Sequence, residues 1–271
     1  MNERGLRADL RLDAMRIIAG EFRSRRLLTP PDDSITRPIP DRVKESLFGL
    51  LRGHCEGASV FDGFAGTGAI GLEALSRGAS RCVFVEQDKS IGQLLSKNIE
   101  TLGVKDRAEL VIGDALGPGA LARAPRPLTL AFLDPPYPLV QEAVGFKRTM
   151  AQVQKMVDLL TLDGFVVLRT PWPLKHKQGS PAPVAPPVTK KGKGRFDRRA
   201  WEREVLEPRS TPGRAAHGLT ARDEALEELA EASPTVAKAS WIDVDLHLPN
   251  AQGPETHVYH NMAVHLYMRK A

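Results

Sequence analysis

Four consecutive residues, Asp134-Pro135-Pro136-Tyr137, hold the densest chemistry in this chain. Two prolines fix the backbone and remove two N–H donors, which leaves carbonyl groups to face a ligand. Asp134 adds a carboxylate and Tyr137 an aromatic face. That set suits a planar amine: Asp134 and the Pro135 carbonyl accept its N–H groups, and the Tyr137 ring stacks on the base that bears it. An exocyclic amine is a poor nucleophile because its lone pair is delocalised into the ring. Acceptors that draw its N–H groups out of conjugation also face the positive charge that develops on nitrogen during alkylation. A methyl sulfonium held in line is a suitable electrophile, and much of the acceleration would be positioning. This chemistry needs neither a metal nor a nucleophilic cysteine. A rigid surface turn can be spelled with the same letters, but this one ends an apolar run, LTLAFLD (128–134).

Three polar clusters stand at the ends of other apolar runs. Asp62-Gly63-Phe64-Ala65-Gly66-Thr67-Gly68 begins where ASVFD (58–62) ends. A strand entering a glycine-rich turn and then a helix exposes backbone N–H groups at the carboxyl edge of a sheet, where ligands bind. Glu86, eighteen residues after Gly68, can accept both hydroxyls of a ribose. Gly113-Asp114-Ala115 offers a carboxylate to an adenine amino group and a backbone N–H to its ring. Asp88 is better explained as a helix cap. Gly66, Gly68 and Gly71 also match the GxGxxG spacing of a dinucleotide site, so this turn alone leaves a nicotinamide-dependent dehydrogenase open. The Lys-Ser/Thr of a phosphate-binding loop is absent.

The elements that must position these residues follow from periodicity. Strands are expected at 58–62, 81–86, 109–114 and 128–134, with helices at AIGLEALSRG, after Asp88 and over 146–162. Pro40 and Asp41 start and cap an earlier helix that Gly53 ends, and residues 16–28 form a small hairpin. Alternation of buried-type strands with helices predicts an α/β fold: an open, mostly parallel sheet covered by helices on both faces. ASWIDVDLHL (239–248) and HNMAVHLYMRK (260–270) are expected to finish it as an antiparallel pair. Between them and Thr170 the chain is Pro-, Lys- and Gly-rich, and residues 171–238 are read as a largely flexible insertion.

Composition narrows the class. The chain has 271 residues, 42% of them hydrophobic and 26% charged, enough for one large domain with an extension. No run reaches the roughly 20 apolar residues of a membrane span, and MNERGLRADLRLDAM lacks a signal core, so a cytoplasmic protein is expected. Two cysteines, Cys55 and Cys82, make neither a disulfide framework nor a zinc set. The net charge is +5, and it is concentrated: residues 171–214 hold eleven Lys/Arg against four acids. Such runs are solvated faces or sites for a polyanion.

Taken in order, DGFAGTG, VFVEQD, IGD and DPPY resemble the motifs of class I S-adenosylmethionine-dependent amino-methyltransferases. RIIAGEFRSRRL, TRPIPDRVKESLFGLL and DGFAGTGAIGLEALSRGAS are more specific and resemble the bacterial 16S ribosomal RNA guanine-N2 methyltransferases of the RsmD family. The likeness covers about residues 15–170 and, more weakly, 256–269. It implies a Rossmann-like sheet of seven strands with the last antiparallel, S-adenosyl-L-methionine as cofactor, and 16S rRNA or an assembling small subunit as partner. Asp62, Phe64, Gly66 and Gly68 would line the cofactor pocket, Glu86 would hold its ribose, and Asp114 with Ala115 its adenine. Asp134, Pro135 and Tyr137 would be catalytic. Arg16, Arg23, Arg25, Arg26, Arg37 and Arg42 would contact RNA, largely through phosphates. The resulting plan is a lead-in (1–15), a basic hairpin and helix (16–53), a methyltransferase domain (54–170 with 239–271) and the insertion. The protein is expected to be a monomer without a metal. Tyr259-His260-Asn261 departs from the family's usual tyrosine-glycine-asparagine at that turn.

Two other functions share part of this reading. A DNA adenine-N6 methyltransferase would use the same amine chemistry, but no separate DNA-recognition domain is apparent. A non-catalytic RNA-binding assembly factor would have no use for an intact Asp134-Pro135-Pro136-Tyr137.

Overall fold

The computed structural model describes residues 15–30, 39–177 and 241–270. These belong to one compact unit, residues 1–178 with 241–271; a second unit, 179–240, lies outside the described residues. Most of the expected lead-in and insertion therefore also lie outside them. Residues 171–177, however, continue the core: Leu174 is buried and Lys175–Lys177 forms a strand.

The first ordered turn is the hairpin expected at 16–28, closed by Ile17 N–H to Arg25 O and Leu27 N–H to Met15 O. After it come α1 (Asp41–Leu50), β1 (Ser59–Gly63), α2 (Ala69–Ser76), β2 (Arg81–Glu86), α3 (Lys89–Leu102) and β3 (Ala108–Ile112). The chain continues with α4 (Pro118–Arg123), β4 (Leu128–Leu133), α5 (Tyr137–Gln141), α6 (Ala143–Leu159) and β5 (Leu160–Pro171). It ends with β6 (Lys175–Lys177), β7 (Trp241–Asp243), β8 (Ala251–Tyr259) and β9 (Met262–Arg269). Seven strands form one sheet in the order β3-β2-β1-β4-β5-β9-β8. The first five are parallel, and β9 runs against both of its neighbours. The fold is the Rossmann-like sheet expected, with the last strand antiparallel.

Two details differ from the sequence reading. The partner of β9 is β8, not 239–248; β7 pairs instead with β6 in a separate two-stranded sheet. β8 is hard to see because it is an edge strand, where Gly253-Pro254 is tolerated and one side is solvated. Asp41 is not the cap of α1. It is the first helical residue, and its carboxylate pairs with Arg16 at 2.9 Å. The cap read at Asp88 is present, accepting the N–H groups of Ser90 and Ile91.

Strand alternation divides the core between the two faces of the sheet. Leu130, Phe132 and Val167 face one cluster with residues of the hairpin, α1, α2 and α3. Ala131, Leu133, Val166 and Leu168 face the other with α4 and α6. At the β8–β9 turn His260 holds φ +53°, a left-handed conformation that a glycine would take without a Cβ penalty.

Candidate active site

The carboxyl ends of β1 to β5 lie side by side, and each brings a polar group to one edge. At β1, Phe64 has φ +64° and Gly66 φ +57°. A left-handed Phe64 costs about 1–2 kcal/mol, strain that the surrounding packing must hold. Ala65 N–H donates to Val85 O at 2.9 Å, and Gly66 N–H donates to Glu86 Oε2 at 2.9 Å. Nothing lies within 4 Å of where a Gly66 Cβ would point, so the turn presents bare backbone to open space.

Glu86 is half-buried and accepts Asp88 N–H on its other oxygen at 2.7 Å. Burial raises its pKa against those backbone donors. With the Gln87 N–H also drawn to it, the carboxylate keeps an acceptor position for a ribose hydroxyl. Glu86 is in register with Ile112, whose side chain is 44% exposed. An open apolar surface between two acidic strand ends suits a purine ring. Asp114, past the end of β3, accepts Leu116 N–H and pairs with Arg148 at 2.7 Å, both exposed. Ala115 is buried, and its carbonyl accepts from Gln152 Nε2.

The structure sets Asp62 behind the turn and not in the cleft. It is 1% exposed, and its Oδ2 accepts Gly71 N–H at 2.9 Å. Burial pushes its pKa to about 7, against the Gly71 hydrogen bond and helped by the nearby Asp134 and Glu86 charges. A Gly71 Cβ would meet Phe84, Cys82 Sγ at 2.7 Å and Asp62 Oδ2 at 2.9 Å. The hydrogen bond therefore exists because α2 starts hard against β1. Period-2 alternation carried the signal: Asp62 shares the face of Val60, which is in the core.

At β4, Asp134 N–H donates to Gly63 O at 3.4 Å, joining the two turns. Pro135 is buried, and Pro136 caps α5, of which Tyr137 is the first residue, half-buried against the core of α1 and α2. The Asp134 carboxylate meets Arg169 of β5 through two bonds, Nε–Oδ1 at 2.5 Å and Nη2–Oδ2 at 2.6 Å. Asp134 and Arg169 line a narrow, otherwise apolar pocket together with Ile39, Leu47, Ile70, Phe132, Val167 and Val264. Helix α1 thus walls the site.

Sequence comparison fits this geometry. The profile of a family described as conserved hypothetical protein 95 matches residues 15–181. Ribosomal RNA small subunit methyltransferase D of Escherichia coli strain K12 is 41% identical over 123 residues, 45% of this chain and 60% of that protein. Bacillus subtilis YlbH is 36% identical over 163 residues, 56% of this chain and 80% of that protein. This chain belongs to the RsmD family. Among solved structures, Escherichia coli yhhF superposes with TM-score 0.57 at 24% identity, covering 95% of this chain and 99% of that one. A protein of Thermus thermophilus gives 0.54 at 24%, covering 94% and 99%. Both share the fold.

Of the arginines predicted from the RsmD-family motifs, all but Arg37 fall on the hairpin and α1. Arg23, Arg26 and Arg42 are exposed. Arg16 is held by Asp41, and Arg25 donates to Thr101 O at 3.3 Å. Arg37 lies outside the described residues. Sequence reasoning missed Arg169, Glu73 and Lys44, although each is a charge inside an apolar pattern, which demands a partner. Among the described residues no group of three His, Cys, Asp or Glu could hold a metal, and no helix is long and apolar enough to cross a membrane. Burial raises both thiol pKa values, that of Cys55 to about 11; neither is a nucleophile at neutral pH.

Proposed function

We propose that this chain methylates the exocyclic N2 amine of a guanine in small-subunit rRNA, using S-adenosyl-L-methionine. The observation that carries the reading is the shared edge: the Asp134 carboxylate past the end of β4 lies on the same sheet edge as the Glu86 carboxylate at the end of β2 and the exposed Ile112 of β3, in a chain of the RsmD family. Bound S-adenosylmethionine would supply a methyl group activated by a sulfonium. Glu86 would accept the ribose hydroxyls, Ile112 would cover the adenine, and Asp114 would accept its amino group. The Gly66 backbone would lie against the methionine end.

Asp134 would accept an N–H of the target amine, with Tyr137 against the base. As the nitrogen lone pair takes the methyl, the sulfonium would keep the S–C electron pair and leave as a neutral thioether, and the nitrogen would gain positive charge facing the carboxylate. The extra N–H proton then passes to water. The exposed arginines of the hairpin and α1 would hold phosphates, and the target base must be unpaired to reach Asp134.

The test is transfer of labelled methyl to three acceptors: small-subunit particles lacking the modification, naked rRNA and duplex DNA, each digested to nucleosides. Label in N2-methylguanosine is expected, and Asp134→Ala abolishes it while cofactor binding survives. Label in N6-methyladenine, or none with cofactor bound, overturns the reading.

A further inference from the structure

We infer that Arg169 is a positioning residue for methyl transfer: its guanidinium fork fixes the Asp134 carboxylate in the rotamer that faces the incoming amine. The inference rests on Asp134 being the amine acceptor, as proposed above.

Leu133 and Leu168 are in register on adjacent parallel strands, so Asp134, the first residue past β4, stands beside Arg169, which is still in β5 and paired with Val264 of β9. Their two bonds, 2.5 and 2.6 Å, make the parallel fork that a planar guanidinium forms with a carboxylate. The side chains are only 11% and 18% exposed. The fork takes one acceptor position on each oxygen and leaves a second on each. The carboxylate stays able to receive N–H groups but can no longer rotate about its terminal bond. On the far side, Arg169 Nη1 lies 3.8 Å from Met262 Sδ of β9.

Stability alone does not explain the pair. Desolvating two charges offsets most of their attraction, and apolar replacements in such places are often neutral. The walls here, Leu47, Ile70, Phe132, Val167 and Val264, are apolar and would accept one. What a fork adds over packing is direction, and a lysine ammonium, a single point charge, cannot supply it.

The experiment compares the full chain with Arg169→Lys, Arg169→Gln and Arg169→Ala in the rRNA methylation assay. Arg169→Ala is expected to lose about 100-fold in kcat, the scale of a small misplacement of a reacting group. KM for both substrates should hardly move, and Lys should recover little. Arg169→Ala should also lower the melting temperature, because it strands a largely buried Asp134 carboxylate, so kcat is compared per folded molecule below that temperature. Methylguanidinium at non-denaturing concentration should restore part of the Arg169→Ala turnover, and methylammonium should not. In the residual turnover of Asp134→Asn, adding Arg169→Ala should cost almost nothing more. Wild-type kcat in Arg169→Ala overturns the inference, as does an equal loss in the Asp134→Asn background or a loss confined to folding or KM. A wild-type chain that labels no RNA at all sinks the functional reading itself, and this inference with it.

Discussion

Glu73 of α2 accepts the backbone N–H of Ile18 at 2.7 Å, across 55 positions of sequence, and that of Ala19 at 3.0 Å on its other oxygen. The same carboxylate pairs with Arg77 Nε at 2.8 Å and lies 3.6 Å from Lys44 Nζ, with Lys44 and Glu73 fully buried. Lys44 in turn donates to the Arg16 carbonyl, and Arg77 lies over the Phe48 ring at 4.7 Å. Burial lowers the Lys44 pKa, with Glu73 opposing the shift. The hairpin, α1 and α2 are joined by this one group.

Removing it should therefore loosen more than a side chain. Glu73→Ala strands the Lys44 charge and is expected to cost about 3–5 kcal/mol in denaturant unfolding. Glu73→Gln should cost less, since its amide oxygen still accepts an N–H. Trypsin should cut between Arg16 and Arg26 of folded Glu73→Ala faster than in wild type. Equal stability of Glu73→Ala and wild type would deny the joint.

Gly66 of the turn and Gly71 of α2 should separate folding from ligand binding. Gly71→Ala drives a methyl into Phe84, Cys82 and Asp62, an overpacking expected to cost about 1–3 kcal/mol. Gly66→Ala meets open space and loses only the roughly 1–2 kcal/mol of a left-handed non-glycine residue. Its added methyl projects where the cofactor is proposed to lie. Calorimetric titration with S-adenosylmethionine should show weakened binding in folded Gly66→Ala; unchanged affinity would move the cofactor elsewhere.

The pH dependence of stability should carry two opposed contributions. Burial holds the Asp62 pKa at about 7, above its usual 3.8, so its share of stability is full below pH 3.8 and lost as pH rises through about 7. His265, fully buried with its ring nitrogens 2.9 Å from Thr170 and Thr256, has its pKa lowered by burial to about 4. Its share is present above its usual 6.5 and lost as pH falls through about 4. In melting curves, Asp62→Asn should gain on wild type as pH rises from 4 to 7, and His265→Gln should gain as pH falls from 6.5 to 4. Parallel curves for either variant would refute its assignment.

Salt dependence should sort the arginines. Arg23, Arg26 and Arg42 are exposed, whereas Arg16 already has Asp41 as a partner. Binding of small-subunit rRNA should weaken with salt, and each exposed arginine that meets a phosphate should lower the log–log slope by about 0.7–0.9 when changed to alanine. Arg16→Ala should change it least. A slope unaffected by the triple change would place the RNA on another surface.

How far the sequence speaks depends on the range of each interaction. β1, β2 and β4 are buried on both faces, so their apolar runs are continuous and end at turn residues; α3 has one apolar face, a capping Asp88 and a terminal Gly103. Strand ends are thereby legible, and with them Glu86, Asp114 and Asp134. α5 hides behind its prolines, which suit the first turn of a helix as well as a loop. Arg169 could be seen as anomalous in FVVLRT, but its partner lies 35 positions away, and strand order decides that meeting. The fate of Asp62 was available from alternation; its partner, a backbone N–H, leaves no mark in residue type.

Lys177 and Trp241 are register partners in the small β6–β7 sheet. The chain therefore leaves the described residues after Lys177 and returns to them at Trp241 through one paired stem. Closing such a stem costs entropy that grows only with the logarithm of the excursion. A short turn joining β6 to β7 would leave every connection of the seven-stranded sheet as it is. That makes this stem a natural port for grafting a foreign module without rethreading the seven-stranded sheet.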